Sequence, residues 1–160
     1  MNILINSFDK IYNLLRANSL RPYIFASSCC CEEINNITVS DNDSNIFVQN
    51  VQISPKQADV LIIAGTINQK LLPDLLDIYE QMPEPKYVMA VGSCACTGGV
   101  YKDNYNIING ADKIISVDVY LPTCPPTEDA ILGAINKLKE KIKSETILKR
   151  KEYISSHTIN

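Results

Sequence analysis

Apolar residues along this chain come in two rhythms, continuous short runs and runs in which every third or fourth position is apolar. Residues 21–26, 58–63, 87–91 and 114–121 read as strands, and the unbroken apolar run at 58–63 is the pattern of a parallel strand covered on both faces. Gly65 closes the second run, and Val91 leads the third into Gly92-Ser93-Cys94-Ala95-Cys96-Thr97-Gly98-Gly99. The helical rhythm occupies residues 8–17, where Ile11, Leu14 and Leu15 recur behind a Ser7 or Asp9 cap, predicting a short amphipathic helix. It returns at 68–81 with Leu71, Leu72, Leu75, Leu76 and Tyr79 on one side and Pro73 in the opening turns, where its missing donor matters least. Met82-Pro83-Glu84-Pro85 stops that helix. A last helix follows Thr127, with Glu128 and Asp129 suited to its positive end and Ile131, Leu132, Ile135 and Leu138 on its apolar face.

Strands alternating with helices predict an α/β fold, an open and mostly parallel sheet with flanking helices, whose ligands bind beyond the carboxyl ends of the strands. Three units are expected: a helical extension over 1–20, the α/β domain over 21–144 and a charged tail over 145–160. The polar stretch 35–50, rich in Asn, Asp and Ser, reads as a mobile loop. On the third strand region Tyr120 is expected in the core, and Asp118 needs either a buried partner or a solvent-facing position.

Composition removes several functions. At 160 residues and 46% hydrophobic content the chain is large enough for one core without disulfide staples. The formal net charge is -3, with no basic stripe, so nucleic acid is not an expected partner. No apolar run approaches the roughly 20 residues that cross a bilayer. The opening MNILINSFDK lacks the order of a secretory signal, so the thiols are expected to be reduced. The single histidine, His157, lies in the polar tail, which removes the commonest general base from the domain. Neither G-x-G-x-x-G nor a P-loop is present, so direct NADH or ATP binding is not expected.

The chemistry that remains is sulfur. Of six cysteines, Cys29 and Cys30 stand in tandem after the first strand, Cys94 follows the third and Cys124 the fourth, in Thr-Cys-Pro-Pro. Thiolate-only ligation selects zinc, Cu(I) or iron–sulfur clusters. Structural zinc usually takes C-x₂₋₄-C knuckles, which this chain lacks, so zinc stands as the rival. The sharper expectation is one [4Fe–4S] cluster on Cys29, Cys30, Cys94 and Cys124. Cys31 and Cys96 read as small buried hydrophobes. Glu33, three residues after the tandem pair, could hold a proton near the site, although solvated loop carboxylates are common.

At these residues the chain resembles a family of iron–sulfur subunits of NADH:quinone oxidoreductase, respiratory complex I, over roughly 25–142. The likeness rests on Cys29-Cys30-x-x-Glu33, on Ser54-Pro55-Lys56-Gln57-Ala58-Asp59-Val60, on Ala64-Gly65-Thr66 and on Tyr79-Glu80-Gln81-Met82-Pro83-Glu84-Pro85. It continues through Gly92-Ser93-Cys94-Ala95, Val117-Asp118-Val119-Tyr120 and Cys124-Pro125-Pro126-Thr127. The resemblance implies that the four thiolates bind the terminal cluster of an electron chain that reduces quinone in a pocket shared with a neighbouring subunit. It implies a fold like the small subunit of nickel–iron hydrogenases, and as partners a quinone-pocket subunit, a ferredoxin-like two-cluster subunit and a membrane arm. The expected place is peripheral, on the matrix face of the mitochondrial inner membrane or, alternatively, the cytoplasmic face of a bacterial one. A relay subunit of a membrane-bound nickel–iron hydrogenase is the alternative function, but those relatives carry Cys-x-x-Cys-x-x-Glu, and Ser27 stands where their first cysteine would be. Thr123 replaces the glycine usual before the last ligand, and Cys96 the usual Asn.

Overall fold

The computed structural model describes residues 11–39 and 53–145. Four strands, β1 (Pro22–Ala26), β2 (Val60–Ala64), β3 (Tyr87–Val91) and β4 (Val119–Leu121), form one sheet in the order β1-β2-β3-β4. Every pairing is parallel, with Pro22 opposite Val60, Val60 opposite Tyr87, and Met89 opposite Val119. The helices are α1 (residues 11–18), α2 (Cys30–Val39), α3 (Leu72–Gln81), the single turn α4 (Ser93–Thr97) and α5 (Glu128–Ser144). This is the α/β architecture that the two rhythms predict.

Because side chains alternate along a strand, the continuous apolar runs feed two cores at once. Val60, Ile62, Tyr87, Met89, Val91 and Val119 face one side and pack with Ile34 of α2 and with Ile131, Ile135, Leu138 and Ile142 of α5. Leu61, Ile63, Val88 and Ala90 face the other, against Leu75 and Tyr79 of α3 and Ala95 and Cys96 of α4. Thr127 caps α5, its Oγ1 accepting the amide of Ala130 at 3.4 Å. Replacing buried apolar contacts in either layer would cost about 2–5 kcal/mol per large residue truncated to Ala.

Four local expectations are corrected. Ile11, Leu14 and Leu15 of α1 do not face the core; they are 59%, 49% and 65% exposed, while Asn13 and Ala17 turn inward. Arg16 sets that orientation, its Nη2 donating to Asp59 Oδ1 at 3.1 Å and to the Pro85 carbonyl. Residues 30–39 are helical, so α2 takes the start of the stretch expected as a loop, and 40–50 lie outside the described residues. The fourth run yields only a three-residue strand, because the amides of Ile114 and Ile115 still close the turn at Ala111–Lys113 by donating to the Ala111 carbonyl. Tyr120 is 47% exposed rather than buried, since β4 is the sheet edge. The tail beyond 145 lies outside the described residues.

Candidate metal centre

Each strand end is tied to the next by one backbone bond past the sheet proper: Ser27 N–H donates to the Ala64 carbonyl at 2.8 Å, Gly65 N–H to Val91 at 3.4 Å, and Gly92 N–H to Leu121 at 2.8 Å. The three cysteine segments therefore leave the sheet from one row. Ser28, in the left-handed region at φ 70°, reverses the chain after β1. That turn leaves Cys29 exposed and sends Cys30 to the start of α2, where it is buried. Gly92 at φ 89° and Gly98 at φ 86° bracket α4, which buries Cys94 directly beyond β3. Cys124 is exposed in the loop between β4 and α5.

Electrostatics groups the thiols. Burial pushes the Cys30 thiol up to about 11, helped by the charge and hydrogen bond of Cys29 and by the charges of Cys124 and Cys94. Cys94 is raised by burial first, then by Cys124 and Cys29, while a backbone hydrogen bond from Val100 pulls it down. Cys29, Cys30, Cys94 and Cys124 thus share one electrostatic neighbourhood. Cys96 belongs elsewhere: burial raises it, its partners are Leu121 and Asp112, and its Sγ donates to the Ala90 carbonyl at 3.5 Å. Cys31, half-buried on α2, contributes to neither Cys30 nor Cys94. Glu33 lies half-buried in the first turn of α2, one turn beyond Cys30, where a carboxylate favours the helix start.

The donor set suits an iron–sulfur group. Four soft thiolates sharing a patch repel one another as anions, and cationic iron relieves that repulsion while depressing each thiol's proton affinity. Backbone also approaches the sulfurs closely: a Cβ at Gly92 would sit 2.6 Å from Cys30 Sγ, and one at Gly99 2.9 Å from Cys94 Sγ. Side chains are thereby excluded where peptide dipoles can reach the sulfurs, as the Val100 amide reaches Cys94. Among the described residues no three Cys, His, Asp or Glu side chains close on a single ion position. A cubane offers each thiolate its own iron, so its ligands surround a body of atoms rather than a point. The Val100 amide has no side-chain signature in the sequence, and the hydroxyl bonds of Ser27 and Ser93 are marked there only by the small residues beside the cysteines.

The family model for the 20 kDa subunit of NADH ubiquinone oxidoreductase matches residues 13–138. The chain belongs to this family. The NAD(P)H-quinone oxidoreductase subunit K of Prochlorococcus marinus (strain MIT 9215) is 44% identical over 157 residues, covering 98% of this chain and 65% of the relative. Subunit K 2 of Acaryochloris marina (strain MBIC 11017) is 43% identical, covering 98% of this chain and 75% of the relative. The chain thus spans about two thirds of the Prochlorococcus relative's length. Among solved structures, a chain of the membrane-bound sulfane sulfur reductase, an archaeal respiratory membrane complex, superposes with a TM-score of 0.79 at 34% identity. That match covers 92% of this chain and 87% of the other, so the family's fold is shared across nearly the whole domain.

Proposed function

We propose that this chain is an electron-transfer subunit of a complex I-type NAD(P)H:quinone oxidoreductase, with one [4Fe–4S] cluster held by Cys29, Cys30, Cys94 and Cys124 and quinone as the electron acceptor. The observation that carries the reading is that neighbouring strand ends, tied by the Ser27–Ala64, Gly65–Val91 and Gly92–Leu121 backbone bonds, bring the segments bearing these four cysteines to one edge of the sheet, where Cys30 and Cys94 feel the other thiols. When bound, the cluster supplies one-electron chemistry at a potential set by its surroundings. The chain's own residues do the rest. Cys30 and Cys94 anchor from buried positions, Cys29 and Cys124 reach from exposed ones, and the Val100 amide donates toward Cys94 Sγ. Exposure on the Cys29 and Cys124 side leaves a face on which a donor subunit and a quinone-pocket subunit can close. Glu33, half-buried one helical turn beyond Cys30, is the carboxylate proposed to relay a proton to the reduced quinone.

The site is proposed as peripheral to a membrane arm, with a two-cluster ferredoxin-like subunit as donor. No helix among the described residues is long and apolar enough to cross a membrane. The bacterial origin of the relatives favours the cytoplasmic face of a bacterial membrane over the mitochondrial matrix face. The archaeal neighbour's complex is named for sulfane sulfur, and the higher identity to the quinone oxidoreductase subunits supports quinone as this chain's acceptor.

Paramagnetic resonance of the reduced complex tests the assignment. Cys94→Ala and Cys124→Ala should each abolish the cluster signal and quinone reductase activity; an unchanged signal in either removes that ligand. Zinc near one per chain without iron or sulfide would replace the reading, as would hydrogenase activity without quinone reduction. Glu33→Gln should slow quinone reduction more than cluster assembly, and equal rates would remove Glu33 from the mechanism.

A further inference from the structure

We propose that Ser27 and Ser93 are positioning residues, two hydroxyl latches that hold the four thiols in fixed relation; this rests on the cluster reading above. Ser27 Oγ donates to the Thr66 carbonyl at 2.6 Å, and Ser93 Oγ donates to the Pro122 carbonyl at 2.8 Å. Each bond crosses from one strand end to the next, farther out than the backbone bonds from Ser27 to Ala64 and from Gly92 to Leu121. Each also starts or ends beside a thiol. Ser27 precedes Cys29 by two residues; Ser93 adjoins Cys94, and its acceptor Pro122 precedes Cys124 by two.

The two bonds divide the work. Ser27 fixes the tandem turn to the segment after β2, where Gly65, at φ 95°, has no room for a Cβ because the Ser27 carbonyl oxygen lies 1.6 Å from that position. Ser28 reinforces it, its hydroxyl 3.1 Å from Thr66 Oγ1. Ser93 fixes the Cys94 helix to the Cys124 loop through the Pro122 carbonyl, two residues before Cys124. Without the Ser93 hydroxyl, Gly92 still holds β3 to β4 through Leu121, but the tie one residue nearer to Cys124 is lost. A latch on an exposed bond such as that of Ser93, and to a lesser degree on the partly buried one of Ser27, tightens geometry more than it stabilises the fold, since water competes for the same groups. Its loss therefore shows as heterogeneity at the cluster.

The test uses the full chain loaded with iron and sulfide, and the same chain free of iron. In the loaded form Ser93→Ala and Ser27→Ala should retain the cluster but broaden or shift its paramagnetic signal and release iron to a ferrous chelator several-fold faster; Ser93→Thr, which keeps the hydroxyl, should restore both. In the iron-free form a short thiol-bridging reagent should join Cys94 to Cys124 several-fold more slowly in Ser93→Ala than in wild type, with bridging of Cys29 to Cys30 unchanged. Alanine variants that match wild type in signal, iron release and bridging overturn the latch. A wild-type chain that takes up no iron and sulfide overturns the cluster reading, and the bridging rates then decide the latch by themselves.

Discussion

Lys141 of α5 places its Nζ 2.7 Å from Oδ1 of Asp118, a carboxylate whose side chain is fully buried immediately before β4. The other oxygen, Oδ2, accepts the Val88 amide at 2.9 Å, and the Asp118 amide donates to the Val88 carbonyl at 2.8 Å. One residue thus sets where β4 begins to pair with β3 and where α5 lies across them. That register places Leu121 opposite Val91, and so brings the Cys124 loop beside the Cys94 turn.

Lys141→Met should destabilise the domain by about 2 kcal/mol, below the full penalty for breaking a buried pair because the lysine side chain is 33% exposed. Asp118→Ala should cost more, since it also strips the Val88 amide of a partner. Denaturant midpoints measured at constant m-value would show the order, and equal midpoints would sink it.

Two glycines should respond oppositely to alanine. Gly65→Ala forces a Cβ into the Ser27 carbonyl at a left-handed φ, and should destabilise by at least about 2 kcal/mol. Gly133 sits inside α5 with nothing within 4 Å of its Cβ position, so Gly133→Ala should stabilise by about 0.5–1 kcal/mol. Thermal or chemical unfolding of the two variants checks both signs.

Gly92→Ala tests the cradle around the buried thiol. Its Cβ would fall 2.6 Å from Cys30 Sγ at a backbone angle that side chains rarely adopt, so the sulfur must shift. Iron and sulfide content per chain should fall while Gly133→Ala, as control, loads like wild type; full loading of Gly92→Ala would show that the sulfur has room to move.

Lys86 supplies a pH signature. Desolvation holds its pKa below the usual lysine value, against the pull of Glu84 and Glu80, although its Nζ donates to the Tyr79 carbonyl at 2.7 Å and lies 3.9 Å from the Tyr79 ring centre. The unfolded chain therefore holds this proton to higher pH than the folded one. Its contribution to stability is greatest above 10.5 and is lost as pH falls through the lowered folded value. Lys86→Met removes that dependence. The stability difference between wild type and variant, followed from neutral pH to about 10.5, should move in favour of wild type as pH rises, and a difference flat with pH would refute it.

Much of this protein was legible in the order of its residues. Buried strands on both faces of a sheet must be apolar throughout, so β2 and β3 stand out as unbroken runs, and the alternation with helical spacing dictates a parallel sheet. Thiols far apart along the chain could be assigned to one edge because strand ends in such a sheet lie side by side. What the pattern could not express is orientation and contact. The apolar side of α1 faces outward because Arg16, through Asp59 and Pro85, and Asn13, donating to the Glu145 carbonyl at the end of α5, turn Ala17 into the core, a preference written in partners far along the chain. Only packing decided that Cys30, rather than Cys29, is buried at a helix start, that Cys96 spends its thiol on Ala90, and that Val100 turns an amide toward Cys94. Periodicity records which face of an element avoids water; which atoms meet across elements depends on distances that exist only once the sheet has closed its register.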